Sequence, residues 1–115
     1  MKGQLNDRIR IQHILDAISE TETYLNAVSF EDFLSNSEKR FATIKQIEIV
    51  GEACNHLSSE LKLQHSEIEW AQINGFRNIS IHEYFGVNLH IVWDIAKNDF
   101  PVLKAKFKRA LEMLL

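Results

Sequence analysis

Ile11-Gln12-His13-Ile14-Leu15-Asp16-Ala17-Ile18-Ser19-Glu20-Thr21-Glu22-Thr23-Tyr24-Leu25 decides the fold class. Ile11, Leu15, Ile18 and Leu25 recur at steps of four, three and seven, which stacks them on one face of an α-helix. The pattern predicts a first helix from Asn6 to about Val28. Outward from it, Ser29-Phe30-Glu31-Asp32 reads as a short turn, with Ser29 able to cap and Asp32 favouring a helix start. A second long helix is expected after Ser37, with Phe41, Ile44, Ile47, Gly51, Cys54, Leu57 and Leu61 as its buried stripe. Gly51 lowers helix propensity there, so its value lies in letting another element approach closely.

Ser66-Glu67-Ile68-Glu69 has the Ser-x-x-Glu form of a capping box and predicts the start of a third helix. Gly86-Val87-Asn88 is expected to end it, and Asn88 to cap a fourth helix running through Lys97. Asn98 or Asp99 followed by Pro101 predicts the start of the last one, because proline is tolerated in a first turn. Nothing alternates with period two. The expected fold is therefore all-α, an antiparallel bundle of four to five helices.

Composition agrees with one soluble domain, residues 1–115. The apolar fraction of 45% supplies a core, while one proline and four glycines are too few for many tight hairpins. The single cysteine, Cys54, excludes an intrachain disulfide and suits a reducing compartment. No signal-like or membrane-spanning run is seen, so a cytoplasmic location is expected. A net charge of −3 argues against a general nucleic-acid coat but leaves room for a compact site that engages one or two phosphates. Lys104, Lys106, Lys108 and Arg109 form the densest basic patch. A solvated helix face is the simpler reading of it, an RNA-steering surface the alternative.

The residues with the most chemistry lie in Phe76-Arg77-Asn78-Ile79-Ser80-Ile81-His82-Glu83-Tyr84-Phe85. Arg77 is permanently charged, His82 exchanges a proton near neutral pH, and Tyr84 carries a hydroxyl, all within an apolar segment. This set suits phosphodiester chemistry, which needs a cation on the phosphoryl oxygens and a proton shuttle. A lone helical Arg or His is also a common structural hydrogen-bonder. On an ideal helix Asn78 and His82 lie over one another, whereas Arg77 and His82 are offset by roughly 140°. Either the helix is irregular around Arg77, or the residues converge on a groove that wraps it.

Arg77-x4-His82-x-Tyr84, with Asn78 after the arginine, resembles the signature of the HEPN superfamily. More narrowly, it resembles the HepT-like toxins paired with minimal nucleotidyltransferases (MntA). Arg8–Leu15, Ile47–Ala53, Glu69–Asn78 and Asn88–Asp94 are similar to the family's flanking segments, so the likeness spans nearly the whole chain. It implies a HEPN-like, homodimeric RNA endonuclease toxin that needs neither metal nor cofactor. Arg77 and His82 match the catalytic pair, Asn78 the polar position between them, and Tyr84 the tyrosine to which a cognate nucleotidyltransferase transfers AMP. Two departures stand out: Asn74 replaces an expected small apolar residue, which would alter packing ahead of the motif, and Gln64-His65 replaces a frequent tyrosine-proline. The motif offers one histidine per chain, and cleavage by the ribose 2′-hydroxyl calls for both a base and an acid. Two subunits pooling their motifs would supply both. A catalytically silent partner of the nucleotidyltransferase, or a plain dimeric interaction module, are the alternatives.

Other candidates are weaker. His13, His56, His65 and His90 lack metal-ligand spacing, and His90 with Asp94 suits a helical hydrogen bond better than a metal. Glu48 and Glu52 could orient Arg77 or His82, but a solvated surface or a helix-contact salt bridge is an equal reading, so they stand outside the candidate site. Cys54 reads as buried filler, and Trp70 and Trp93 as core or interface anchors.

Overall fold

The computed structural model describes residues 2–79 and 89–114, and helix is the only regular structure among them. Helix α1 runs Lys2–Tyr24, α2 Phe30–Ser35, α3 Ser37–Asn55, α4 Ser59–Gln64 and α5 Trp70–Gly75. A 3-10 turn, Phe76–Asn78, continues α5. Beyond the undescribed stretch, α6 (Leu89–Asp94) passes through a π-helical turn, Ile95–Asp99, into α7 (Phe100–Met113). The all-α class expected from the sequence is what the chain forms.

The long helices α1 and α3 pack along each other, α7 also packs on α1, and the 3-10 turn packs on α3. Ile11, Ile14 and Ile18 of α1 meet Ile44, Ile47 and Val50 of α3 in a core that Phe33, Phe100 and Phe107 complete, all almost wholly buried. Each such side chain is worth about 1.5–3 kcal/mol of apolar burial. Ring contacts fix the layers: Phe33 on Trp93 at 5.2 Å, Trp70 on Phe107 at 5.9 Å, Phe76 on Phe100 at 6.3 Å.

Helix ends follow local chemistry where the sequence signals it. The Ser29 hydroxyl accepts from the Asp32 N–H at 3.1 Å, and Asn36 Oδ1 accepts from the Lys39 N–H at 3.0 Å. The first helix stops at Tyr24, four residues before the expected end, and the chain turns through Ala27 at a left-handed φ of 59°. Two ammonium groups hold that end. Lys39 Nζ donates to the Tyr24 carbonyl at 2.8 Å and Lys97 Nζ to the Leu25 carbonyl at 3.0 Å, where unpaired helix carbonyls favour a cation.

Three expectations need correction. Phe41 is 52% exposed, because it lies roughly 120° round α3 from Ile47; Thr43 is buried instead. Leu61 is buried as expected but belongs to α4, since α3 ends at Asn55. Ser66 does not cap the motif helix. The His65 carbonyl accepts from the Ile68 N–H at 3.1 Å and the Trp70 indole at 3.0 Å, while Lys106 reaches the Glu67 carbonyl at 2.8 Å. These contacts hold residues 65–68 as a turn, and α5 starts after Glu69 without a side-chain cap.

The last helix starts where expected, at Phe100 after Asp99 with Pro101 in its first turn, but its entry is not a loop. The chain does not break at Asn98 or Asp99; it stays helical and widens, so that the Phe100 N–H bonds to the Ile95 carbonyl five residues back. Proline lacks an N–H and its ring crowds the carbonyl four residues before it. A wider π turn just upstream accommodates both defects without ending the helix. The predicted helix end at residues 86–88 and the Asn88 cap lie outside the described residues.

Candidate active site

Gly51 is where the site begins. A Cβ built on it would lie 2.9 Å from the Arg77 backbone nitrogen, 3.0 Å from Arg77 Cγ and 3.0 Å from Phe76 Cβ. No side chain fits there, so α3 and the 3-10 turn meet nearly backbone to backbone. The close approach expected of Gly51 is therefore made to the segment that carries Arg77.

The turn itself sorts its side chains. Ile73, Phe76 and Ile79 are buried, and Phe76 packs on Phe100. Arg77 and Asn78, between those anchors, are exposed. The local structure at Phe76–Asn78 is 3-10, not ideal α-helix. The backbone is therefore irregular at Arg77, as one of the two explanations offered by the sequence requires. His82 and Tyr84 lie outside the described residues.

Arg77 and Asn78 line one cleft of about 490 Å³ together with Lys45, Glu48, Ile49, Glu52 and Asn74. Its charges are paired. Arg77 Nε bonds to Glu52 Oε2 at 3.1 Å, and the other Glu52 oxygen meets His56 Nε2 at 3.2 Å. Lys45 Nζ lies 3.5 Å from Glu48 Oε1. Glu52, which the sequence offered as a possible partner of Arg77 but left outside the candidate site, is thus in direct contact with the motif arginine. The available signal was its place beside Gly51: a helical glycine marks an approaching neighbour, and the polar residue next to it lies at the edge of that contact. Asn74 is exposed and lines the cleft, so its amide bears on the site's polarity and not on packing ahead of the motif.

The remaining candidates fall elsewhere. His13 is exposed, His65 is buried beside Glu67 at 3.4 Å, and His90 stacks on Phe30 at 4.1 Å between ring centroids. No group of three metal-binding side chains occurs among the described residues. Cys54 is buried, and burial pushes its thiol up to about 12, away from the thiolate a nucleophile needs. In the basic patch, Lys104 pairs with Glu22 at 2.6 Å and Lys106 with the Glu67 carbonyl, while Lys108 and Arg109 are exposed.

Residues 14–110 match the Ribonuclease HepT-like family. The chain belongs to that family. It is 37% identical over 99 residues to a protein of Thermococcus cleftensis named a probable ribonuclease HepT, covering 86% of this chain and 90% of that one. A protein of Caldanaerobacter subterraneus named as a candidate RNase is 35% identical over 102 residues, covering 89% and 91%. A longer protein of Methanocaldococcus jannaschii, named for both a gamma-glutamylcyclotransferase and a candidate RNase, is 35% identical over 93% of this chain and 48% of its own length. No solved structure matches the chain. No helix among the described residues is long and apolar enough to cross a membrane.

Proposed function

We propose that this HepT-like chain is a metal-independent endoribonuclease toxin acting on RNA in the cytoplasm as a homodimer. A cognate minimal nucleotidyltransferase of the MntA type neutralises it by transferring AMP to Tyr84. The observation that carries the ribonuclease site is the pairing of Arg77 and Asn78 on one polar cleft, in a chain of this family.

In the proposed reaction the ribose 2′-oxygen attacks the adjacent phosphorus and the bond to the 5′-oxygen breaks, leaving a 2′,3′-cyclic phosphate and a 5′-hydroxyl. Arg77 faces the charge that grows on the non-bridging oxygens, where a planar guanidinium offers two parallel N–H donors. Asn78 adds an amide donor to the same oxygens. His82 of one subunit takes the 2′ proton and His82 of the other protonates the departing oxygen. In neutralisation the Tyr84 oxygen attacks the α-phosphorus of ATP, pyrophosphate leaves, and the phenolic proton passes to the transferase. A nucleotide two positions from His82 then blocks the site with bulk and negative charge.

Substitution separates this from a silent or merely structural domain. Arg77→Ala and His82→Ala are each expected to lower RNA cleavage by about a hundredfold or more and to relieve growth inhibition, with helix content by circular dichroism unchanged. Full toxicity of His82→Ala would overturn the assignment. Tyr84→Phe, co-expressed with the nucleotidyltransferase, is expected to show no mass gain of AMP by intact mass spectrometry and to stay toxic.

A further inference from the structure

We infer that Glu52 is a positioning residue for this reaction, holding the Arg77 guanidinium at Nε so that its terminal fork meets the scissile phosphate. The inference rests on the ribonuclease reading above.

The geometry carries it in three steps. Gly51 brings the α3 backbone against the backbone nitrogen and Cγ of Arg77, which fixes the root of a long, rotatable side chain. Glu52, the next residue, bonds Nε at 3.1 Å and so fixes the guanidinium at the other end of the same stem. The carboxylate is itself held, because its second oxygen meets His56 Nε2 at 3.2 Å. Two adjacent residues of one helix thus seat the arginine at two points. Nε is the nitrogen that suits this purpose: Nη1 and Nη2 carry the four other N–H groups, including the end-on pair that fits two phosphate oxygens.

Stability does not account for the ion pair. The two side chains are 39% and 54% exposed, and solvated pairs of this kind contribute little to folding. A carboxylate beside a phosphate-binding cation also repels RNA. Its presence in the cleft therefore weakens substrate binding, and orientation of Arg77 is what it gives in return. That combination predicts a split between kinetic constants: removing Glu52 lowers kcat while KM stays the same or falls.

The test uses the full-length protein cleaving a fluorescent single-stranded RNA, with the Arg77 Nε–H followed by NMR. Glu52→Ala is expected to lower kcat by about ten- to a hundredfold without raising KM, and to speed solvent exchange of the Arg77 Nε–H. Glu52→Gln, which keeps an acceptor oxygen, is expected to recover part of both. Glu22→Ala, which removes the exposed pair with Lys104 far along the chain, is the matched control and should change neither. Wild-type kcat in Glu52→Ala, with Arg77→Ala inactive, would overturn this inference and leave the ribonuclease site standing. Wild-type cleavage by Arg77→Ala would instead overturn that site. If Glu52→Ala melts early, the NMR signal decides: an Nε–H exchanging as in the wild type would refute the positioning role.

Discussion

Two carboxylates, Asp7 and Glu52, each tie one helix to a distant segment, and they do so under opposite conditions. Asp7 is 4% exposed and takes two hydrogen bonds from Ser58, from the backbone N–H at 2.9 Å and the hydroxyl at 2.6 Å. The same hydroxyl accepts from the Leu61 N–H at 3.2 Å, so Asp7 orients the cap that starts α4. Glu52 sits half in solvent on the wall of a polar cleft and holds a guanidinium. Buried and fully bonded, the first stabilises the fold; exposed to solvent, the second adds little to it. Burial, more than bond length, separates scaffold from site here.

The comparison breaks most sharply at Gly51. Alanine there would press its methyl group to within 2.9 Å of backbone at Arg77, and backbone cannot swing aside as a side chain can. Gly51→Ala is expected to destabilise the chain by about 1–3 kcal/mol by urea unfolding, despite alanine's better helix propensity. It should also lower cleavage more than tenfold per folded molecule, since the seat of Arg77 moves. Wild-type cleavage in a folded Gly51→Ala protein would show that the close approach is packing alone.

Asp7→Ala should give the opposite profile. It leaves the part-buried Ser58 N–H without its acceptor, which costs on the order of 1 kcal/mol. Urea unfolding should show that loss, while kcat for RNA stays at the wild-type value, because neither Asp7 nor Ser58 lines the cleft. A fall in kcat equal to that of Gly51→Ala would remove the distinction between the two carboxylates.

Much of this was legible in the sequence for reasons that can be named. The stripe from Ile11 to Leu25, the Ser29 cap and the meaning of Gly51 are local signals, written within a few residues of where they act. Arg77 and Asn78 were marked by their spacing to His82 and Tyr84, and the fold brings both onto one cleft. What sequence reasoning left open or missed is tertiary. The contact of Glu52 with Arg77 across 25 positions was raised but stood level with a solvated surface, and that of Asp7 with Ser58 across 51 was not raised at all. Ser66 carries the letters of a capping box, yet contacts from Trp70 and Lys106 hold that segment as a turn. Pro101 signals a helix start equally well after a loop and after a π turn, and only the fold distinguishes them. Phe41 was misplaced by extending a stripe one step too far around α3.

The smallest expected effect comes from a third carboxylate, Glu22, whose bond to Lys104 is as short as Asp7's at 2.6 Å. Its side chain is 42% exposed and it borders no cleft that holds Arg77. Water already solvates both partners in the unfolded chain, and ordering two long side chains offsets most of the Coulomb gain. Glu22→Ala should therefore cost about 0–1 kcal/mol at low salt, and less still as added salt screens the pair. Measured beside Asp7→Ala in urea titrations over a range of salt, it sets an exposed ion pair against a buried, twice-bonded carboxylate at the same shortest contact distance. A loss as large as that of Asp7→Ala, unmoved by salt, would mean that contact distance alone sets the energy. The functional reading of Glu52 would then lose its main premise, because an exposed pair would suffice to explain itself by stability.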